Sequence, residues 1–169
     1  MRISRLIGTL VVGGLLATGL AACGGDGEGD AASGPCDVKV GGSAKQKPTV
    51  TIPDGCEPPA ELQTRDVAEG SGAAAKAGDS VEVNYVGIAW STKAEFDTSY
   101  KAGRTPFAVR PLGQASVIKG WNQGLIGAKA GGRRLLVIPP SLGYGERGQG
   151  PIKPNETLVF VVDIVSVKA

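Results

Sequence analysis

The chain contains no histidine, so the commonest general base and the commonest nitrogen ligand for metals are both missing. A serine hydrolase would need Ser, His and an acid, and no serine sits in the G-x-S-x-G setting that would favour a Ser-Lys dyad. Glu95 and Asp97 are two apart, so on a strand they would share a face; a loop would separate them. Cys36 and Cys56 make a poor metal set without histidine, so neither a metal nor a cofactor is expected. Gly143-Tyr144-Gly145-Glu146-Arg147-Gly148 matches G-x-G-x-x-G, but a dinucleotide site needs a helix opening at those glycines. Gln149-Gly150-Pro151 and then Pro154 leave no room for one, so the glycines shape a loop that places Tyr144. The aromatics are more informative. Tyr85, Trp90, Phe96, Tyr100, Phe107, Trp121, Tyr144 and Phe160 are the whole set. Their confinement to this stretch predicts one compact unit holding most of the core. The chemistry to expect rests on shape, burial and hydrogen bonding, with no proton shuttle.

The elements that must position these rings read mostly with period two. Val81, Val83 and Tyr85 alternate with Glu82 and Asn84, a half-buried strand. Gly131-Gly132 lead into a strand through Arg133-Arg134-Leu135-Leu136-Val137-Ile138, stopped by Pro139-Pro140. Leu158 to Val165 is nearly continuous in β-branched residues and is the longest strand signal. Only residues 120–128 read as helix, short and weakened by Gly124 and Gly127, with Trp121 and Leu125 stacked at i and i+4. Antiparallel strands wrapped on one short helix make an α+β domain.

The 169 residues allow one domain plus appendages. The net charge of +2 comes from Arg2 and Arg5. Beyond residue 22 acids and bases cancel, so no nucleic-acid footprint is expected. Arg2 and Arg5 precede the apolar run Leu6 to Leu20, and Leu20-Ala21-Ala22-Cys23 follows. This looks like a bacterial lipobox, which makes 1–22 a lipoprotein signal peptide and Cys23 the lipidated N-terminus. Acyl chains at Cys23 would anchor the protein outside the cytoplasm, on a bacterial membrane. Residues 23–35, rich in Gly, Asp and Ala, read as a flexible tether. Residues 36–60 form an N-terminal extension clipped to the main unit at 61–169, with a short strand over Thr49 to Ile52 between Pro48 and Pro53. Cys36 and Cys56 are most simply a disulfide in that compartment, free thiols or links to other chains being the alternatives. Closing a loop of about 20 residues would stabilise the fold by roughly 3 kcal/mol.

The informative constellation is dispersed and ordered. It runs Val83-Asn84-Tyr85-Val86-Gly87, Phe96-Asp97-Thr98-Ser99, Pro106-Phe107 and Val117-Ile118-Lys119-Gly120-Trp121. Gly131-Gly132-Arg133-Arg134, Ile138-Pro139-Pro140, Tyr144-Gly145 and Leu158-Val159-Phe160 complete it. In this order and spacing the chain, over roughly residues 61–169, resembles the FKBP family of macrolide-binding peptidyl-prolyl cis/trans isomerases. The resemblance implies an antiparallel sheet curved around a short helix, with an apolar pocket between them. It puts Trp121 at the pocket floor and Tyr85, Phe96, Val117, Ile118 and Phe160 in the walls, with Phe107 and Ile152 also binding substrate. Asp97, Tyr144, Phe96 and the Ile118 backbone N–H become the catalytic groups; for Asp97, capping a turn or pairing with Arg104 or Arg110 is the alternative.

Three residues depart from the family pattern: Leu142, Gln149 and Lys153. All are expected on the loop over the pocket, where they bear on substrate preference and macrolide affinity. The implied function is isomerisation of X-Pro bonds in exported polypeptides by a monomer, with proline-containing chains and macrolides as binding partners. A non-catalytic chaperone or adaptor using the same pocket is the alternative, and a purely structural envelope protein a third reading.

Overall fold

The computed structural model describes residues 36–43 and 46–169. The signal-peptide and tether segments and Cys23 lie outside the described residues. Eight strands and one α-helix are present among those described: β1 (Lys39–Gly41), β2 (Thr49–Thr51), β3 (Gln63–Ala68), β4 (Ser80–Ala89), β5 (Glu95–Thr98), β6 (Phe107–Val109), α1 (Lys119–Gly124), β7 (Arg133–Ile138) and β8 (Leu158–Lys168). Strands β3 to β8 form one antiparallel sheet in the order β3-β7-β8-β4-β5. The far side of β4 is shared: β6 pairs with Val81 to Val83, and β5 with Val86 to Ile88. Strands β1 and β2 make a separate two-stranded ribbon.

The alternation of side chains along the strands builds two cores. On the helix face Val81, Val83 and Tyr85 of β4, Leu136 and Ile138 of β7, and Leu158, Phe160, Val162 and Ile164 of β8 pack with Trp121 and Leu125. On the opposite face Val86, Ile88 and Trp90, Leu135 and Val137, and Val159 and Val161 pack with Val38 and Ile52 of the extension. The compact unit expected from the aromatics thus holds two cores, divided by the sheet. A strand covered on both faces need not alternate, which explains the near-continuous apolar run of β8. It also explains why β4 alternates through Asn84 and then turns apolar on both sides.

The extension is held by several links. Within it Cys36 and Cys56 are joined in a disulfide, and from the main unit the Arg65 guanidinium donates to the Val38 carbonyl at 2.6 Å. Arg133, 2% exposed, donates to the carbonyls of Gly42 (3.0 Å) and Gln46 (2.7 Å) and to Asp163 (2.6 and 2.8 Å).

The helix is shorter than the expected 120–128. Past Gly124 the chain leaves the helical path to bond the segment before β4. The Gly127 N–H donates to the Ala75 carbonyl, and the Ala75 N–H to that of Ala128, both at 2.8 Å. The Arg134 guanidinium donates to the carbonyls of Gly124 (3.1 Å) and Ile126 (2.9 Å), satisfying acceptors that a helix end leaves open. The helical glycines also have a packing reason. A Cβ on Gly120 would lie 2.4 Å from the Ile138 side chain, and one on Gly124 2.8 Å from Leu136. Bare backbone on that face lets α1 settle close against β7.

Candidate functional site

A cavity of about 230 Å³ opens between the helix face of the sheet and α1. Tyr85 of β4 and Phe160 of β8, the latter paired with Gly87, form one wall. Phe96 and Asp97 supply another, although neighbours on a regular strand face opposite sides. The register shift between β4 and β5 resolves this. Gly87 pairs with Asp97 and Ile88 with Glu95, leaving Phe96 as the extra residue of a bulge. A bulge redirects side chains locally, and both Phe96 and Asp97 line the cavity. Glu95, by contrast, pairs with Lys47 of the extension at 2.8 Å.

Beneath the rings lies Trp121, 4% exposed and edge-on to Tyr85 (5.1 Å), Phe160 (5.2 Å) and Phe107 (6.0 Å). Phe96 meets Phe160 edge-on at 5.5 Å. Edge-to-face contacts set the positive rim of one ring against the negative face of the next, so the rings hold one another at fixed angles. Ser116, Val117 and Ile118 form the lip leading into α1. Asn122 fastens that lip: its Oδ1 accepts from the N–H groups of Gly113 (2.9 Å) and Ala115 (3.1 Å), and its Nδ2 donates to the Ala115 carbonyl (2.9 Å). Tyr144 closes the cavity from the loop between two short 3₁₀ turns, Pro140–Leu142 and Gly145–Arg147.

Asp97 is the acid of the cavity. Its Oδ2 accepts from the Tyr85 hydroxyl at 2.6 Å and its Oδ1 from the Thr98 N–H at 2.8 Å, with Arg104 Nη1 3.9 Å away. Burial first, and then the bond to Asp97, push the Tyr85 phenol far above the ordinary tyrosine range. Burial and the Asp97 charge raise that of Tyr144 as well. Both stay protonated near neutrality as hydrogen-bond donors. Three donors are left over. The buried Trp121 Nε1–H has no partner, and among the described residues neither the Ile118 N–H nor the Tyr144 hydroxyl is engaged. Ile118 and Tyr144 line the cavity, so their donors are capacity a ligand can use; the Trp121 Nε1–H is sealed in the core, where an unmade hydrogen bond costs about 1–3 kcal/mol. Among the described residues no group of three or more Cys, Asp or Glu side chains converges.

Tyr85, Phe96, Asp97, Phe107, Val117, Ile118, Trp121, Tyr144 and Phe160 thus meet in one cavity. Ile152 does not: it is buried in the helix-face core, outside the lining. Phe107 stands at the rim, 42% exposed. Trp90 and Tyr100 belong to the opposite core. Leu142, Gln149 and Lys153 are also absent from the lining. Leu142 packs against the helix-face core, and Gln149 bridges to Ile152 in the turn that precedes β8. Sequence reasoning missed Ser116 and Asn122, which carry no distinguishing pattern. It quoted Gly87 without its role. A Cβ there would lie 2.7 Å from the Phe160 ring and 2.8 Å from that of Phe96, so only glycine leaves room for both.

A sequence model described as FKBP-type peptidyl-prolyl cis-trans isomerase matches residues 71–165. An FK506-binding protein of Streptomyces anulatus is 52% identical over 124 residues, covering 72% of this chain and 98% of that protein. A probable FK506-binding protein of Corynebacterium glutamicum is 42% identical over 121 residues, with the same coverage. Among solved structures, AtFKBP13 is similar with a TM-score of 0.58 and 36% identity, over 68% of this chain and all of that one. FkpA from Escherichia coli is similar with a TM-score of 0.56 and 47% identity over 63% of this chain, which spans about half of FkpA. Sheet, helix, aromatic cavity and these matches agree: the chain belongs to the FKBP-type peptidyl-prolyl cis-trans isomerases.

Proposed function

We propose that the cavity lined by Tyr85, Phe96, Asp97, Trp121, Tyr144 and Phe160 is the isomerisation site, and that it acts on X-Pro bonds of exported polypeptides. The observation that carries this is a set of interlocked rings around a cavity whose polar groups are few and partly unengaged. An X-Pro bond isomerises over tens to hundreds of seconds. Rotation breaks amide resonance, so the twisted bond carries less charge on its carbonyl oxygen than the planar one. A ring-lined cavity takes that oxygen out of water and disfavours the planar form, while proline fills the space above Trp121. The Ile118 N–H and the Tyr144 hydroxyl are the free donors that hold the chain's carbonyls, and Asp97 fixes Tyr85. Lowering the barrier by about 5.4 kcal/mol speeds rotation roughly ten-thousand-fold. No proton changes hands, so the absence of histidine from the chain is no handicap.

The same reading places the domain outside the cytoplasm, tethered through residues 23–35 to lipid on Cys23. What supports it is the Leu20-Ala21-Ala22-Cys23 sequence after a basic and apolar start. The disulfide between Cys36 and Cys56 suits an oxidising compartment.

The test is a prolyl-peptide isomerisation assay on the full chain and on Asp97→Ala and Tyr144→Phe. The full chain accelerates isomerisation, and each variant lowers kcat/KM about tenfold or more, equivalent to at least ~1.4 kcal/mol, with an unchanged far-ultraviolet spectrum. Peptide binding without acceleration would leave a binding module in place of the enzyme site. For the anchor, cells fed a clickable fatty acid label the wild-type chain and not Cys23→Ser; equal labelling rules out Cys23.

A further inference from the structure

A second cavity, about 400 Å³, adjoins the first and shares Tyr85 and Phe107 with it. Ser99, Arg104 and Thr105 supply its polar wall. The Arg104 side chain is about half exposed, and its nearest acid, Asp97, is 3.9 Å away and already bonded to Tyr85 and Thr98. Among the described residues the guanidinium makes no hydrogen bond. It therefore presents a fork of donors whose geometry matches a carboxylate.

The charge around it points the same way. Residues 98–145 contain Lys101, Arg104, Arg110, Lys119, Lys129, Arg133 and Arg134 and not one Asp or Glu. Lys129, Arg133 and Arg134 are paired with Glu69, Asp163 and Asp66. Lys101, Arg110 and Lys119 have no ion-pair partner among the described residues. The same stretch provides Phe107, Val117, Ile118, Trp121 and Tyr144 to the first cavity. The stretch that builds the site thus carries three cations without an ion-pair partner among the described residues, and a fourth, Arg104, whose one neighbouring acid is Asp97.

We infer that Arg104 and the second cavity read the residue flanking the prolyl bond, and that the enzyme prefers substrates with Asp or Glu there. This rests on the first cavity being the proline site. A polypeptide whose proline sits in the first cavity continues past Phe107, which both cavities share, and the neighbouring cavity receives the next side chains. An acidic one meets Arg104 directly, and the surrounding positive field draws acidic segments toward the site.

The experiment measures kcat/KM of the full chain on peptides with one X-Pro pair and Glu, Gln or Lys at each of the two positions on either side. At one of these positions Glu exceeds Lys by about fivefold, within the range of exposed ion pairs. The ratio shrinks as added salt shortens the screening length. Arg104→Glu inverts the ratio; Lys39→Glu, on the extension, leaves it unchanged. Equal rates on Glu and Lys peptides at every position overturn the inference and leave the proline site standing. A preference that survives Arg104→Glu overturns the assignment to Arg104. No acceleration on any peptide overturns the proline site and this inference together.

Discussion

The helix face and the extension face of the sheet are built from the same strands, yet they finish their polar groups differently. Arg133 and Arg134, adjacent in β7, show the contrast. Arg133 turns to the extension face, where Asp163, the Gly42 carbonyl and the Gln46 carbonyl take all of its hydrogen bonds. Arg134 turns to the helix face and finishes the end of α1, backed by a half-exposed Asp66. Beyond that point the helix face leaves donors open at Ile118 and Tyr144, and one buried without a partner at Trp121. The extension face closes over aliphatic side chains with a ribbon and a disulfide. The extension face also leaves a cavity, of about 560 Å³ beside Val38, Leu135 and Val137, but its arginine is fully bonded within the fold, whereas the helix-face cavity keeps unengaged donors for a guest.

The sharpest way to test that division is to remove the two arginines separately. Arg133→Met strands Asp163 in a nearly closed site, and breaking such a pair costs about 3–5 kcal/mol. Arg134→Met leaves two helix-end carbonyls unsatisfied and frees an Asp66 that water reaches, at about 1–3 kcal/mol. Urea midpoints give both values. In protein that remains folded, kcat/KM falls further in Arg134→Met, because α1 carries Trp121 and follows Ile118. Equal losses of activity would mean that the faces are not separate.

Gly87→Ala moves the comparison onto the site itself. The new methyl group meets Phe160 and Phe96 at 2.7–2.9 Å, and overpacking of this kind costs about 1–3 kcal/mol. Both rings line the cavity, so kcat/KM drops about tenfold, equivalent to ~1.4 kcal/mol at the transition state. Stability falls by less than in Arg133→Met. A variant with normal activity would show that the rings have room to move.

Much of this was legible in the sequence, and for a physical reason. Period-two patterns report burial directly, so β4, β7 and β8 stand out, and the dispersed aromatics with Asp97 resemble a known site. What could not be read depends on geometry between distant residues. Phe96 and Asp97 share a cavity only because of a one-residue bulge opposite Gly87 and Ile88. The helix stops early because residues 127–130 find backbone partners near Ala75. Trp90, just past the end of β4, and Phe160 of β8 look alike as isolated aromatics, yet they pack on opposite faces of the sheet. The resemblance assigns Ile152 to substrate binding, whereas the turn through Gln149 sets it in the helix-face core, outside the cavity lining.

The smallest effect separates the faces through a matched pair of tyrosines. Tyr85 donates its hydroxyl to Asp97 on the helix face, and Tyr100 donates to Asp163 on the other. In each case burial is the larger cause, and the bonded carboxylate the next, of a phenol pushed well above its ordinary value of about 10. The sign follows. Above about pH 10 the unfolded chain releases phenolic protons that the folded chain keeps, so stability is full below that pH and falls as pH rises beyond it. Thermal midpoints between pH 8 and about 11 trace the fall, and Tyr85→Phe and Tyr100→Phe each make it shallower. At neutral pH each replacement removes one hydrogen bond to a carboxylate, a stability loss on the order of 1 kcal/mol. Activity divides them: Tyr85→Phe releases the carboxylate that lines the cavity and lowers kcat/KM, while Tyr100→Phe loosens only the covered side. If Tyr100→Phe lowers kcat/KM as much as Tyr85→Phe does, the two faces are coupled through β5, and the extension face shapes the site as well as covering the sheet.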